Sequence, residues 1–147
     1  MVKIEKFWNR FLQAKNLPVN TKYSDVYSFD VTQKNSDKLL KLVKENKKTA
    51  TTSLYVESEF STQVGEYNIL TTFKGTPKAI VKITDVKIMA FKDMTFELAK
   101  LEGEDKVFDT WKKTHIDFLK IDAKNYNIQF NDNTKIVFEI FELVYKE

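Results

Sequence analysis

GTPKAIVKITDVKIMAF, residues 75–91, is the stretch on which the fold turns. Branched and aromatic residues dominate it, as in a strand with little solvent contact. Val81 and Ile83 share one parity, whereas Val86 and Ile88 share the other. Side chains alternate between the faces of a strand, so an unbroken strand would show these two pairs to opposite sides. A β-bulge near Thr84–Asp85 reconciles the switch, and bulges bend strands toward barrels and curved sheets. The opening KGTPK turns back onto EYNILTTF (66–73), a second strand-like run, so β texture extends from about Ala50 to Ile88.

Downstream, TFELAKLE (95–102) reads as a short helix and GED (103–105) as a break. Phe108, Trp111, His115, Phe118 and Leu119 mark one face of a helix from about Lys106 to Ala123, with Asp105 as its expected cap. Tyr126, Ile128 and Phe130 alternate as a strand, NDN turns, and KIVFEIFELVY (135–145) forms a dense terminal strand. Upstream, Ile4, Phe7, Trp8, Phe11 and Leu12 give one apolar face to a helix over 3–16, closed by Pro18. Residues 19–34 read as a loop with room for a short extended piece. A second helix is predicted from an N-cap at Ser36, with Leu39, Leu40 and Val43 inward and Asn46 as a left-handed stop. The order predicts one α+β domain over 1–147: a small, closed, mostly antiparallel β-barrel with helices packed on it.

The 147 residues have 42% hydrophobic and 31% charged content, which describes a soluble globular chain. No run reaches the ~20 apolar residues of a membrane span, and the opening reads as an amphipathic helix rather than a signal peptide. Cysteine is absent, which excludes disulfides and thiolate chemistry and fits a cytoplasmic location. The net charge of +3 allows a polyanionic partner without requiring one. Arg10 is the only arginine beside twenty-three lysines, so guanidinium forks cannot be the main recognition device.

The candidate chemistry lies in KENKKTATTSLY (44–55), where lysines meet hydroxyls. In a strand Lys48 and Thr51 would face opposite sides; in a helical turn or irregular loop they could share one. A lysine beside a threonine at such a junction is ordinarily just solvated; alternatively, a buried amine could take a proton from the hydroxyl. In the second acidic stretch, Glu102, Glu104 and Asp105 either complement a helix start or turn a carboxylate into a cleft. His115 is the only histidine, which excludes a multi-histidine metal site. Glu139, inside IVFEIF, needs a partner if buried, and pairing with a lysine such as Lys48 or with a hydroxyl is the expected account; Tyr67 and Trp111 could stack a base or pack the core. No metal or other cofactor is expected.

NKKTATTS (46–53) resembles the G-x-K-x-x-T-x-R signature of ASCH domains, a family related to the PUA fold. VGEYNIL (64–70), GTPKAIVKITDVKIMAF (75–91), FELAKLEGED (96–105), WKKTHIDFL (111–119) and IVFEIFELV (136–144) follow in the order of the longer members. Here Asn46 stands at the family's glycine and Ser53 at its arginine. The resemblance implies a PUA-like barrel binding RNA, a nucleotide or a modified nucleoside in a cleft at the K-x-x-T motif. Some short members hydrolyse acetylated cytidine and others are reported as ribonucleases. Carried over by position, Lys48 would be general base, Thr51 nucleophile and Glu102 the group that orients the base or activates the leaving group. Tyr67, Glu104, Asp105, Trp111, His115 and Glu139, each weighed against a packing or pairing role, are the further candidates to contact substrate. A non-catalytic RNA or protein-interaction module is the remaining alternative.

Overall fold

A computed structural model describes residues 2–29 and 32–147. Its helices are α1 (Val2–Ala14), α2 (Gln33–Lys44), α3 (Phe96–Ala99) and α4 (Phe108–Lys124). The strands are β1 (Asp25–Tyr27), β2 (Ala50–Leu54), β3 (Tyr67–Thr71), β4 (Pro77–Ala90) and β5 (Lys135–Lys146). They form one sheet in the order β1-β3-β4-β5-β2, a half-barrel with the helices around it. Only β1 and β3 run parallel; the other neighbours are antiparallel. The expected closed barrel is therefore half closed, with β1 and β2 as its edges.

The expected bulge is present. Pairing of β4 with β5 shifts between Ile83 and Asp85 and again between Ile80 and Val81. The shift keeps Val81, Ile83 and Val86 in one apolar cluster despite their change of parity. That cluster lines the inner face, where Leu40 and Val43 of α2 join Phe29, Leu70 and Phe141. On the outer face, Phe7, Trp8, Phe11 and Leu12 of α1 cover Ile69 and Ile80. Trp111 and Leu119 of α4 cover Ala50, Ile136 and Phe138 beside them.

Four local expectations are corrected. Thr32, not Ser36, caps α2: it takes the extended conformation, and its hydroxyl accepts from Asn35 N at 3.3 Å. Ser36 is buried one turn inside the helix. Val107, extended and without a side-chain cap bond, precedes α4 in place of Asp105. Residues 126–130 form no strand. Asn127 turns left-handed (φ 57°), Ile128 N bonds back to Ala123 O, and Phe130 packs beside α4's core instead of pairing. Helix α1 ends at Ala14 through left-handed Asn16, before Pro18 is reached.

Candidate functional site

The end of α2 sets up the first feature. Asn46 adopts φ 60°, as its side chain tolerates, and the amides of Lys47 and Lys48 both bond Leu42 O. The chain then lies along the 101–103 segment, with Thr49 N donating to Leu101 O at 2.7 Å. This apposition aims Lys48 inward, only 2% exposed. Its ammonium donates to Glu102 Oε1 at 3.2 Å and to Ala50 O at 2.9 Å. Glu104 Oε2 lies 3.6 Å away and the Phe29 ring 5.2 Å away.

Glu102 is the hub of this cluster. Its Oε2 accepts from Thr52 Oγ1 at 2.7 Å and from Trp111 Nε1 at 2.9 Å. His115 Nε2 lies 3.3 Å from Oε1, while Nδ1 faces Trp111 O at 2.8 Å. The imidazole stacks on the indole with centroids 3.9 Å apart. Burial alone would push the Glu102 carboxyl up; the Lys48 charge, then His115 and Thr52, outweigh it and hold the group at about 2. Glu104 shifts the other way, raised by burial and by Glu102 against the pull of Lys48.

Every member of this cluster has its partner inside the protein. An amine that is to remove a proton needs a free lone pair, and the Lys48 nitrogen is surrounded by acceptors: Ala50 O, Glu102 Oε1 and Glu104 Oε2. The hydroxyl that reaches Glu102 belongs to Thr52, not to Thr51. The reason is the strand period: β2 starts at Ala50, so Thr51 pairs with Glu139 and shares its inner face, while Thr52 points toward α4. Thr52→Val is accordingly expected to lose about 1.5–3 kcal/mol, the usual worth of a hydrogen bond to a charged group. Thr51→Val should lose well under 1 kcal/mol in the same denaturant titration.

The other expected contact residues separate. Trp111 is fully buried, between Phe91 and His115, and Tyr67 packs its edges against Trp8 and Phe11. Trp111 has no free face for a base, and Tyr67 belongs to the aromatic cluster under α1, with Lys82 Nζ 5.7 Å from its ring centre. His115 is buried in the Glu102 cluster, Glu104 borders it, and Asp105 lies half-buried beyond it. Glu139 alone reaches an open cleft. Among the described residues no cluster has the make-up of a metal site.

That cleft, of about 460 Å³, opens on the inner face beside β2 and β5. Tyr27, Ser53, Thr62, Glu66, Asn68 and Glu139 line it, and among the described residues no lysine, arginine or histidine does. Ser53, the position where the family signature expects arginine, thus faces this space without a cation. Burial raises the Glu139 carboxyl, Thr62 opposes the shift by donating a hydrogen bond, and the negative neighbours Glu66 and Asp25 add to it. Burial also raises the Tyr27 phenol, helped by Glu139 and Asp25. Sequence reasoning found Glu139 but missed Tyr27, Thr62, Glu66 and Asn68. Asn68 alone carried a signal, a polar residue at a strand position otherwise apolar.

A family model described as an ASCH domain matches residues 25–145. The crystal structure of a protein from Enterococcus faecalis, described under a family of unknown function, superposes with a TM-score of 0.87 at 30% identity. That match covers 97% of this chain and 89% of the other. An ASCH domain from Lactobacillus crispatus superposes with a TM-score of 0.88 at 24% identity, covering 99% and 96%. No curated protein matches the chain. No helix among the described residues is long and apolar enough to cross a membrane.

Proposed function

The chain belongs to the ASCH domain family, and from that membership we propose that it binds a nucleoside-sized ligand, free or as part of an RNA segment. The ligand occupies the cleft behind the K-x-x-T strand. One observation carries this reading: a concavity of about 460 Å³ whose polar lining is hydroxyl, amide and carboxylate, with Leu54, Val56, Phe60 and Val137 as its apolar wall and no cation among the described residues. The volume lies in the range of small-molecule sites. The lining suits the hydrogen-bonding edges of a base and sugar, and it offers no cation to neutralise a phosphate. Ser53 and Glu139, on paired strands, put the motif strand itself in the wall.

Calorimetric titration with uridine, uridine monophosphate and a short single-stranded oligoribonucleotide tests this. Uridine should bind, the added phosphate should give no gain, and Thr62→Val together with Glu139→Gln should weaken binding about tenfold. Binding that requires the phosphate would refute the assignment. The hydrolase alternative draws on a single fact, the 3.2 Å approach of Lys48 to Glu102. Against it stand the enclosure of both groups and the placement of Thr51 on the other face. Release of acetate from an acetylated nucleoside by the wild type, abolished in Thr51→Ala, would reverse this ranking.

A further inference from the structure

Within the cleft, Asn68 is distinctive. It is 5% exposed, lines the cavity, and its side-chain Oδ1 has no hydrogen-bond partner among the described residues. A buried acceptor left unpaired is uphill in free energy, and native interiors seldom carry one without a use. Its cross-strand neighbour is Asp25, and Glu66 stands two positions before it. Glu139 closes the other side, near enough to Asp25, Glu66 and Tyr27 to feel their charge or impose its own.

The contrast with the rest of the surface is sharp. The chain has 24 basic residues and a net charge of +3, yet none of them lines this space. Lysines gather elsewhere, as at the hollow edged by Lys41, Lys44, Lys78 and Lys146. Carboxylates crowded without a counter-ion repel one another: burial first, and then Glu66 and Asp25, raise the Glu139 carboxyl against the Thr62 hydrogen bond. A ligand group that both donates hydrogen bonds and carries positive charge relieves the two deficits together.

We propose that this part of the cleft is a subsite for an organic ammonium group, with Asn68 Oδ1 and the Glu139 carboxylate as acceptors and Asp25 and Glu66 as the surrounding negative field. The proposal rests on the reading of the cleft as a ligand site and adds the charge of what enters it. A neutral donor would satisfy Asn68 but leave the carboxylates uncompensated, and an anion would satisfy neither.

The test uses the full chain at low salt, titrated with 1,4-diaminobutane, with 1,4-butanediol as its uncharged counterpart, and separately with uridine. Saturable heat from the diamine, none from the diol, and at least tenfold weaker diamine binding in Glu139→Gln and Asn68→Leu is the expected result. Thermal melts establish that the variants fold; should Asn68→Leu fail to fold, Glu139→Gln alone decides. Equal diamine binding by wild type and Glu139→Gln would overturn the subsite, since general attraction to acidic surface then suffices. Uridine binding without diamine binding would also overturn it while sparing the nucleoside reading. Diamine binding without uridine binding would uphold the ammonium subsite and remove the nucleoside.

Discussion

Lys48→Met is expected to destabilise the protein by about 3–5 kcal/mol, the range for breaking a buried pair by removing one partner. Methionine replaces most of the aliphatic stem, so the loss isolates charge from volume. What remains is the Glu102 carboxylate, 2% exposed, still held by Thr52, Trp111 and His115 but without its lysine. Denaturant unfolding of the single variants and of Lys48→Met/Glu102→Met checks this. The double variant should lose much less than the sum, because neither charge is then stranded. The acid limb gives a second readout. A carboxyl at about 2 in the folded protein and near 4.5 when unfolded adds stability that is fully present above pH 4.5. That contribution fades as pH falls toward 2, so the gap between wild type and Lys48→Met should narrow over the same window. A loss under about 1 kcal/mol at neutral pH would show that the pair is dispensable to the fold.

Such a cluster is hard to read from residue pattern, and the reason is local geometry. Lys48 and Glu102 meet because two irregular segments, 46–49 and 101–103, run side by side. No periodicity connects them, and only the family resemblance paired them beforehand. The same absence of pattern hid the choice between Thr51 and Thr52. Spacing of three reads as shared space in a turn, but β2 begins at Ala50 and imposes the strand period instead. Elements with long apolar stripes were legible: both long helix faces, the terminal strand, and the bulge betrayed by the parity of Ile83 and Val86. The three-residue β1 is too short to carry any alternation. Tyr126, Ile128 and Phe130 mislead for the opposite reason. Their alternation is real, yet Asn127 breaks the chain's direction and α4 takes Phe130 into its own core. The cleft draws on strands and loops from across the sequence, so its acidity emerges only after folding.

Gly103→Ala should be as damaging as any single substitution in this chain, at about 3 kcal/mol or more. The residue sits at φ +76°, where an L side chain costs about 1–2 kcal/mol by conformation alone. Its added Cβ would overlap the Lys47 carbonyl oxygen, lie 2.7 Å from the carbonyl carbon and 3.2 Å from Lys48 N. These are backbone atoms, and they cannot swing aside as a side-chain tip would. The 101–103 segment must back away, which stretches the Thr49 N–Leu101 O bond and draws Glu102 from Lys48. Gly75→Ala supplies the control: φ there is +93°, but nothing lies within 4 Å of the new Cβ. It should show the conformational penalty only. Thermal or denaturant unfolding of the two variants side by side separates strain from collision. If they lose equal stability, the contact between the two segments yields cheaply, and the Lys48–Glu102 pair does not depend on a glycine at 103.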